Sequence, residues 1–205
     1  MPLLSDITME KRQISAFDFD GTLTTKDTLF EFIKFAKGTG AFWWGLFCVS
    51  PVLVAYVLRL YPNDKAKERL FSHFFRGMSY DLFRNLGQEF ASRVESFQRH
   101  DVVQTLQQCQ TQGHQVYVIS ASIEEWVRPW CEQHGVTDVL ATRVEVNDGL
   151  LTGRFSTPNC YGQEKVNRLL AVEPDRQSYL LHAYGDSRGD RELMSLADKG
   201  VWINK

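Results

Sequence analysis

The sequence predicts an α/β fold: a mainly parallel sheet with helices on both faces, interrupted by an all-helical insert. Three observations carry this. Short apolar runs alternate with helix-period segments on either side of a central block. That block, residues 28–103, shows helical periodicity alone. The reactive side chains fall just after apolar runs, where ligands bind in open parallel sheets.

Residues 13–19, QISAFDF, read as a buried strand ending in a DGT turn. KDTLFEFIKFAKG spaces Leu29, Phe32, Ile33 and Ala36 on one helix face and stops at glycine. DKAKERLFSHFFRG reads as a helix capped by Asp64 and ended at Gly77. SYDLFRNLGQEFASRVESF repeats apolar positions at Leu82, Phe83, Leu86 and Phe90. Then come a helix (HDVVQTLQQCQTQG), a strand (QVYVIS) and a helix (SIEEWVRPWCEQHG). DVLATRVEV and LLTGRF flank Asn147-Asp148-Gly149, a hairpin signal. GQEKVNRLLAV is helical, SYLLHAYGDS a strand, RELMSLAD a helix and VWIN a last strand.

A chain of 205 residues holds one domain, or one core plus a modest insert. We expect a Rossmann-like core at 1–27 and 104–205, with the helical block 28–103 inserted into it. Twenty-three basic against 25 acidic residues exclude a nucleic-acid binder working by bulk charge. Cys48, Cys109, Cys131 and Cys160 lack metal-ligand spacing and read as reduced packing residues. The N-terminus, MPLLSDITMEKRQ, has no long apolar run before its charges, so no secretory signal is read and a cytoplasmic protein is expected.

Three strand ends carry reactive groups. In Asp18-Phe19-Asp20-Gly21-Thr22-Leu23-Thr24 the two aspartates are two apart on an extended chain and lean the same way. Such a pair suits Mg²⁺ and phosphate; the bland alternative is a capped turn with exposed carboxylates. Ser120, with the backbone N–H groups that follow it from Ala121 on, suits a phosphate oxygen. Read alone, Ser120 is an ordinary helix N-cap. Tyr184-Gly185-Asp186-Ser187-Arg188-Gly189-Asp190 again places carboxylates after a hydrophobic strand. Lys165 alone reads as an exposed helix lysine.

Taken together, the order DFDGTLT … ISAS … GQEK … GDSRGD resembles the haloacid dehalogenase-like hydrolase superfamily, most closely the branch containing phosphoserine phosphatase (subfamily IB). The resemblance covers the whole chain, and the 102 residues from Asp18 to Ser120 leave room for that branch's helical cap. It implies a Mg²⁺-dependent phosphoric monoester hydrolase. Asp18 would be the nucleophile that forms an aspartyl-phosphate, and Asp20 the general acid and base. Ser120 and Ala121 would hold a phosphoryl oxygen, and Lys165 would neutralise charge. Asp186 would hold Mg²⁺ with Asp18 and the main-chain carbonyl of Asp20. Asp190 would support the metal or orient Lys165. The second aspartate, Asp20, favours phosphatase or phosphomutase chemistry. By the same resemblance, Asp27 and a cap arginine, Arg76, stand where the amino-acid substrate is recognised, although the surrounding cap sequence departs from that pattern.

From Gly38 to Leu58 there is no charged residue. Length alone makes this window a membrane-span candidate. A single span would put Asp18 and Ser120 on opposite sides, so we expect two short cap helices broken at Pro51, or a shallow dip into one leaflet. Two readings stay open: buried cap core, or a surface for a phospholipid or for the inner face of a membrane. A similar stretch occurs in phosphatases of this branch that act on phosphatidylglycerophosphate. The expected partner is a small phosphorylated substrate; a phosphotransferase and a non-catalytic docking protein are the rival readings. Sixteen of the 26 aromatics lie in 28–103, where ten basic residues face seven acidic ones. A basic, aromatic cap joined to an acidic core suits an anionic substrate with an apolar part.

Overall fold

The computed structural model describes residues 11–204. The reading of the first ten residues, including the absence of a secretory signal there, lies outside the described residues.

The core sheet has five parallel strands: β1 (Arg12–Phe17), β2 (Gln115–Ile123), β3 (Asp138–Thr142), β6 (Tyr179–Gly185) and β7 (Lys199–Trp202), in the order β3-β2-β1-β6-β7. Helices α5 (His100–Thr111) and α6 (Glu124–Gln133) cover one face, and α7 (Gln163–Val172) and α8 (Arg191–Leu196) the other. Alternation along β2 explains the two layers. Val116 and Val118 pack toward α5 and α6, whereas Tyr117 and Ile119 pack toward α7 and α8. β1 lies mid-sheet with β2 and β6 beside it, so the residues that leave these three strands converge at one edge.

The run DVLATRVEV is not one strand. It divides at Arg143 into β3, in the main sheet, and β4 (Val144–Asn147), which pairs antiparallel with β5 (Leu150–Phe155). The turn between them has positive φ at Asp148 (48°) and Gly149 (75°), as a two-residue hairpin requires.

The block between β1 and α5 is all helical: α1 (Thr28–Lys37), α2 (Thr39–Val57), α3 (Asn63–Phe75) and α4 (Tyr80–Val94). Its two connections run side by side. The Thr25 amide donates to Phe97 O at 2.8 Å, and the Arg99 amide donates to Leu23 O at 2.8 Å. Helix α5 crosses the expected boundary at 103/104 and packs wholly against the core. Part of the block's aromatic wealth sits in its seam with α6: Phe32 stacks on Trp126 with centroids 4.4 Å apart, and Phe83 and Phe90 meet the same indole edge-on. Asp64 does not cap α3; the helix begins one residue earlier, after Pro62, and Asp64 lies in its first turn.

Helix α2 corrects the expected break. It runs unbroken through Pro51. Proline has no N–H for the carbonyl four residues back, here Phe47 O. The Ser50 hydroxyl donates to that carbonyl at 2.7 Å in its place. Nor is α2 buried core. Phe42, Gly45 and Val49 face inward, and Gly45 lets α2 lie close on α3, since a Cβ there would fall 2.1 Å from the Phe74 ring. Trp43, Trp44 and Phe47 are 62%, 67% and 69% exposed. Cys48, on this helix, is likewise exposed; the other three cysteines are buried thiols, as expected.

Candidate active site

Asp18 follows directly on β1; its amide donates to Tyr184 O at 2.9 Å and so fixes the carboxylate against the end of β6. The chain then turns sharply through Gly21, with φ of 78°. Glycine is required there for a second reason: a Cβ would lie 2.3 Å from an Asp186 carboxylate oxygen.

Asp18 and Asp20 share the turn but have different partners. The Lys165 ammonium stands 2.7 Å from Asp18 Oδ1 and donates to Asp190 Oδ1 at 2.5 Å. The other Asp190 oxygen accepts from the Ser187 amide and hydroxyl, each at 3.0 Å. Lys165 is therefore not the exposed helix lysine of the sequence reading. It is 1% exposed, pointed inward from the first turn of α7 behind Gly162. Burial alone would lower its pKa, but Asp18 and Asp190 outweigh that and hold it raised, so it stays charged. Burial pushes the Asp18 carboxyl up to about 7 against the pull of Lys165, with Asp190 adding to the rise.

Asp20 faces the other way. Its Oδ1 accepts from the Thr28 amide (3.1 Å) and hydroxyl (2.7 Å), and its Oδ2 accepts from the Ser122 hydroxyl at 2.5 Å. Trp126 Nε1 donates to Thr28 Oγ1 at 3.0 Å, which locks this arrangement to α6. Burial first, and the charge of Asp27 second, raise Asp20 to about 6.

Ser120 is buried inside β2, and the strand continues to Ile123, so it is not an N-cap. Its hydroxyl accepts from the Ser122 amide at 2.9 Å. The Ala121 carbonyl accepts from Lys67 Nζ at 2.6 Å and from Thr142 Oγ1 at 2.8 Å. Asp18, Asp20, Ser120, Ala121, Lys165 and Lys67 line one cleft of about 600 Å³. Its other wall comes from the helical block: Leu29, Phe30, Leu53, Tyr56 and Leu70 are apolar, and Lys67 is charged.

Of the residues singled out from sequence, Asp18, Asp20, Asp27, Ser120, Ala121, Lys165 and Asp186 line this cleft. Asp27 also caps α1, accepting from the Phe30 amide at 3.2 Å. Asp190 lies just behind Lys165. Arg76 is not brought in. Cleft-lining residues of α3 belong to its first two turns (Asn63, Ala66, Lys67, Leu70), and Arg76 is nine residues beyond Lys67, about 14 Å along the axis. There it packs beside Gly153 of β5. The cation that the helical block does supply is Lys67, which sequence reasoning missed, along with Thr28 and Ser122. Lys67 shares a helix face with Asn63, Ala66 and Leu70, but nothing local aims that face at the cleft.

Asp18, Asp186 and Asp190 can each offer an oxygen, all within 4.8 Å of one another. A set made of carboxylate oxygens fits a small hard divalent cation such as Mg²⁺. The Asp20 carboxylate is turned away from this set, which leaves only its main chain for such a role.

Comparison with known proteins agrees with the geometry. The haloacid dehalogenase-like hydrolase family matches residues 16–195. Protein CicA of Caulobacter vibrioides is 34% identical over 188 residues, 90% of this chain and 82% of that protein. A protein named phosphoserine phosphatase SerB1, from Mycobacterium tuberculosis, is 30% identical over 134 residues, 64% of this chain and 44% of its own length. A solved structure of a phospho-aspartyl intermediate analogue of phosphoserine phosphatase shares the fold, with a TM-score of 0.66 and 18% identity over 94% of this chain and 87% of that one.

Proposed function

The chain belongs to the haloacid dehalogenase-like hydrolases, and from that premise we propose a Mg²⁺-dependent phosphatase that hydrolyses a phosphomonoester through an aspartyl-phosphate on Asp18. One observation carries the reading: two buried carboxylates in one turn have opposite surroundings. Asp18 is held by an ammonium, and Asp20 by hydroxyls and an amide. Burial raises both carboxyls, Asp18 to about 7 and Asp20 to about 6. The Lys165 ammonium favours the ionised form that a nucleophile needs at Asp18, and Asp20, raised with no cation hydrogen-bonded to it, suits an acid–base group working near pH 7.

In the first step an Asp18 oxygen forms a bond to phosphorus and the ester oxygen leaves with the Asp20 proton. In the second step Asp20 takes a proton from water, whose oxygen displaces Asp18 and releases phosphate. Ser120 and the Ala121 amide bind phosphoryl oxygens. Lys165 offsets the charge of an anionic nucleophile meeting an anionic substrate, and Asp190 fixes its direction. Asp18, Asp186 and the Asp20 carbonyl would hold Mg²⁺, which when bound neutralises phosphoryl charge. In this reading the catalytic core is 11–27 with the segment from α5 onward, and the helices of 28–99 form the cap.

The apolar wall of the cleft favours a second reading of the substrate: a phosphate carried on an apolar body, as in a phospholipid of the phosphatidylglycerophosphate type. A phosphotransferase would use the same first step. The test is phosphate release across sugar, amino-acid, nucleotide and lysophospholipid phosphates, with and without Mg²⁺. Wild type should release phosphate and Asp18→Asn should not. Equal, negligible rates for both across the whole panel would sink the reading, and label found in an acceptor instead of free phosphate would favour transfer.

A further inference from the structure

We infer that the outer face of α2 is a docking surface for an anionic lipid bilayer, on which the helix lies flat in the headgroup layer. The helix is apolar all round, yet only the side bearing Phe42, Gly45 and Val49 is covered. At 100° per residue, Trp43, Trp44, Phe47, Pro51, Val54 and Leu58 form one outward stripe, with Val57 at its margin. Each of these seven is exposed, Val57 to 75% and Leu58 to 62%. Nineteen residues extend about 28 Å, so the stripe is a long uniform surface and not a scattered set of side chains. Contiguous apolar patches of this kind mark interaction sites.

Two facts select a bilayer as the occupant. The first is charge. No Asp or Glu occurs from residue 32 to residue 63, whereas Lys37 stands just before α2 and Arg59 just past its end; Lys34, in the last turn of α1, is paired with Glu31 at 2.7 Å. A tryptophan-bearing apolar stripe with cations at both ends matches the layered chemistry of an anionic membrane surface, and opposes a second copy carrying the same cations. The second is direction. α1 and α3 join the two ends of α2 to one packed body, Phe42 and Val49 belong to its core, and Leu53 and Tyr56 of the same helix line the cleft. The helix therefore lies along the surface without crossing, and the cleft opens beside it. The docking does not depend on which phosphate is cleaved.

The experiment is flotation of the full chain with vesicles of phosphatidylcholine alone or with 30% phosphatidylglycerol, together with light scattering of the protein alone. Wild type should float with the anionic vesicles at about 0.05 M salt and bind less as salt rises. Trp44→Glu/Phe47→Glu should lose at least tenfold in partitioning while keeping wild-type hydrolysis of p-nitrophenyl phosphate, a soluble ester. Three results would overturn the inference: no flotation of wild type, equal flotation of the variant, or a wild-type dimer that these substitutions split and that ignores vesicles. Failure of the phosphatase reading is seen separately, as equal rates for wild type and Asp18→Asn.

Discussion

The Lys165 ammonium lies 2.7 Å from an Asp18 oxygen, and both side chains are almost wholly buried. The two residues are 147 apart in sequence and come from different elements. Removing one partner of a buried, hydrogen-bonded charge set typically costs about 3–5 kcal/mol, because the rest stays buried unpaired. Lys165→Met should therefore abolish turnover and lower the denaturation midpoint. Adding Asp190→Asn to Lys165→Met should recover part of the stability and none of the activity. Urea titrations with activity assays on the single and double variants check this; a Lys165→Met protein as stable as wild type would contradict the charged assignment.

Asp20 is oriented from two sides, by Thr28 of α1 and Ser122 of β2. In the proposed mechanism these residues hold the acid–base carboxylate, and neither lines the cleft. Ser122→Ala and Thr28→Val should each lower kcat by about 10-fold or more with little change in KM, since partners that orient a reacting group are typically worth 10–100-fold. A change confined to KM would place them in substrate binding instead.

Lys67 is the one lysine that α3 adds to the cleft, and burial lowers its pKa against the pull of Asp27, Asp20 and Asp18. Lys67→Met should raise KM for anionic substrates by about 10-fold, the order of a lost charged hydrogen bond. Arg76→Met, at the far end of the same helix, should leave KM unchanged. Steady-state kinetics on the two variants decide between these cations.

Glu125, in the seam between α4 and α6, has its pKa pushed up to about 7 by burial, from an ordinary 4.5. The folded protein thus keeps a proton that the unfolded chain has released. Below pH 4.5 both states hold it, and stability is unaffected. Between about 4.5 and 7 the unfolded state is increasingly favoured, and above 7 the loss is complete, at most about 3 kcal/mol. Glu125→Gln removes this dependence. Its Tm relative to wild type should climb from pH 4.5 to 7 and then level off. A difference between the two proteins that does not vary with pH would refute the assignment.

Much of the core was legible in the chain because its signals are local. Residues 13–19 read as a strand from their apolar run, of which 13–17 lie in β1, and Asn147-Asp148-Gly149 as a turn from its φ preference. The DFDGTLT, ISAS, GQEK and GDSRGD segments appear in an order that marks the family. Where local rules failed, a distant or neighbouring partner had intervened. Pro51 ought to break α2, but the Ser50 hydroxyl takes over the orphaned carbonyl of Phe47. DVLATRVEV reads as one strand, yet its two halves pair with different sheets.

By itself the sequence determined the fold class, the helical insert and the carboxylates at the strand ends, since these depend on side-chain period and on residues close along the chain. The tertiary structure alone decided which cation enters the cleft, that Lys165 is buried between Asp18 and Asp190, and that α2 leaves its tryptophans uncovered. Those outcomes depend on which elements pack together and at what angle. A helix's own sequence carries its faces, but not the neighbour that each face will meet.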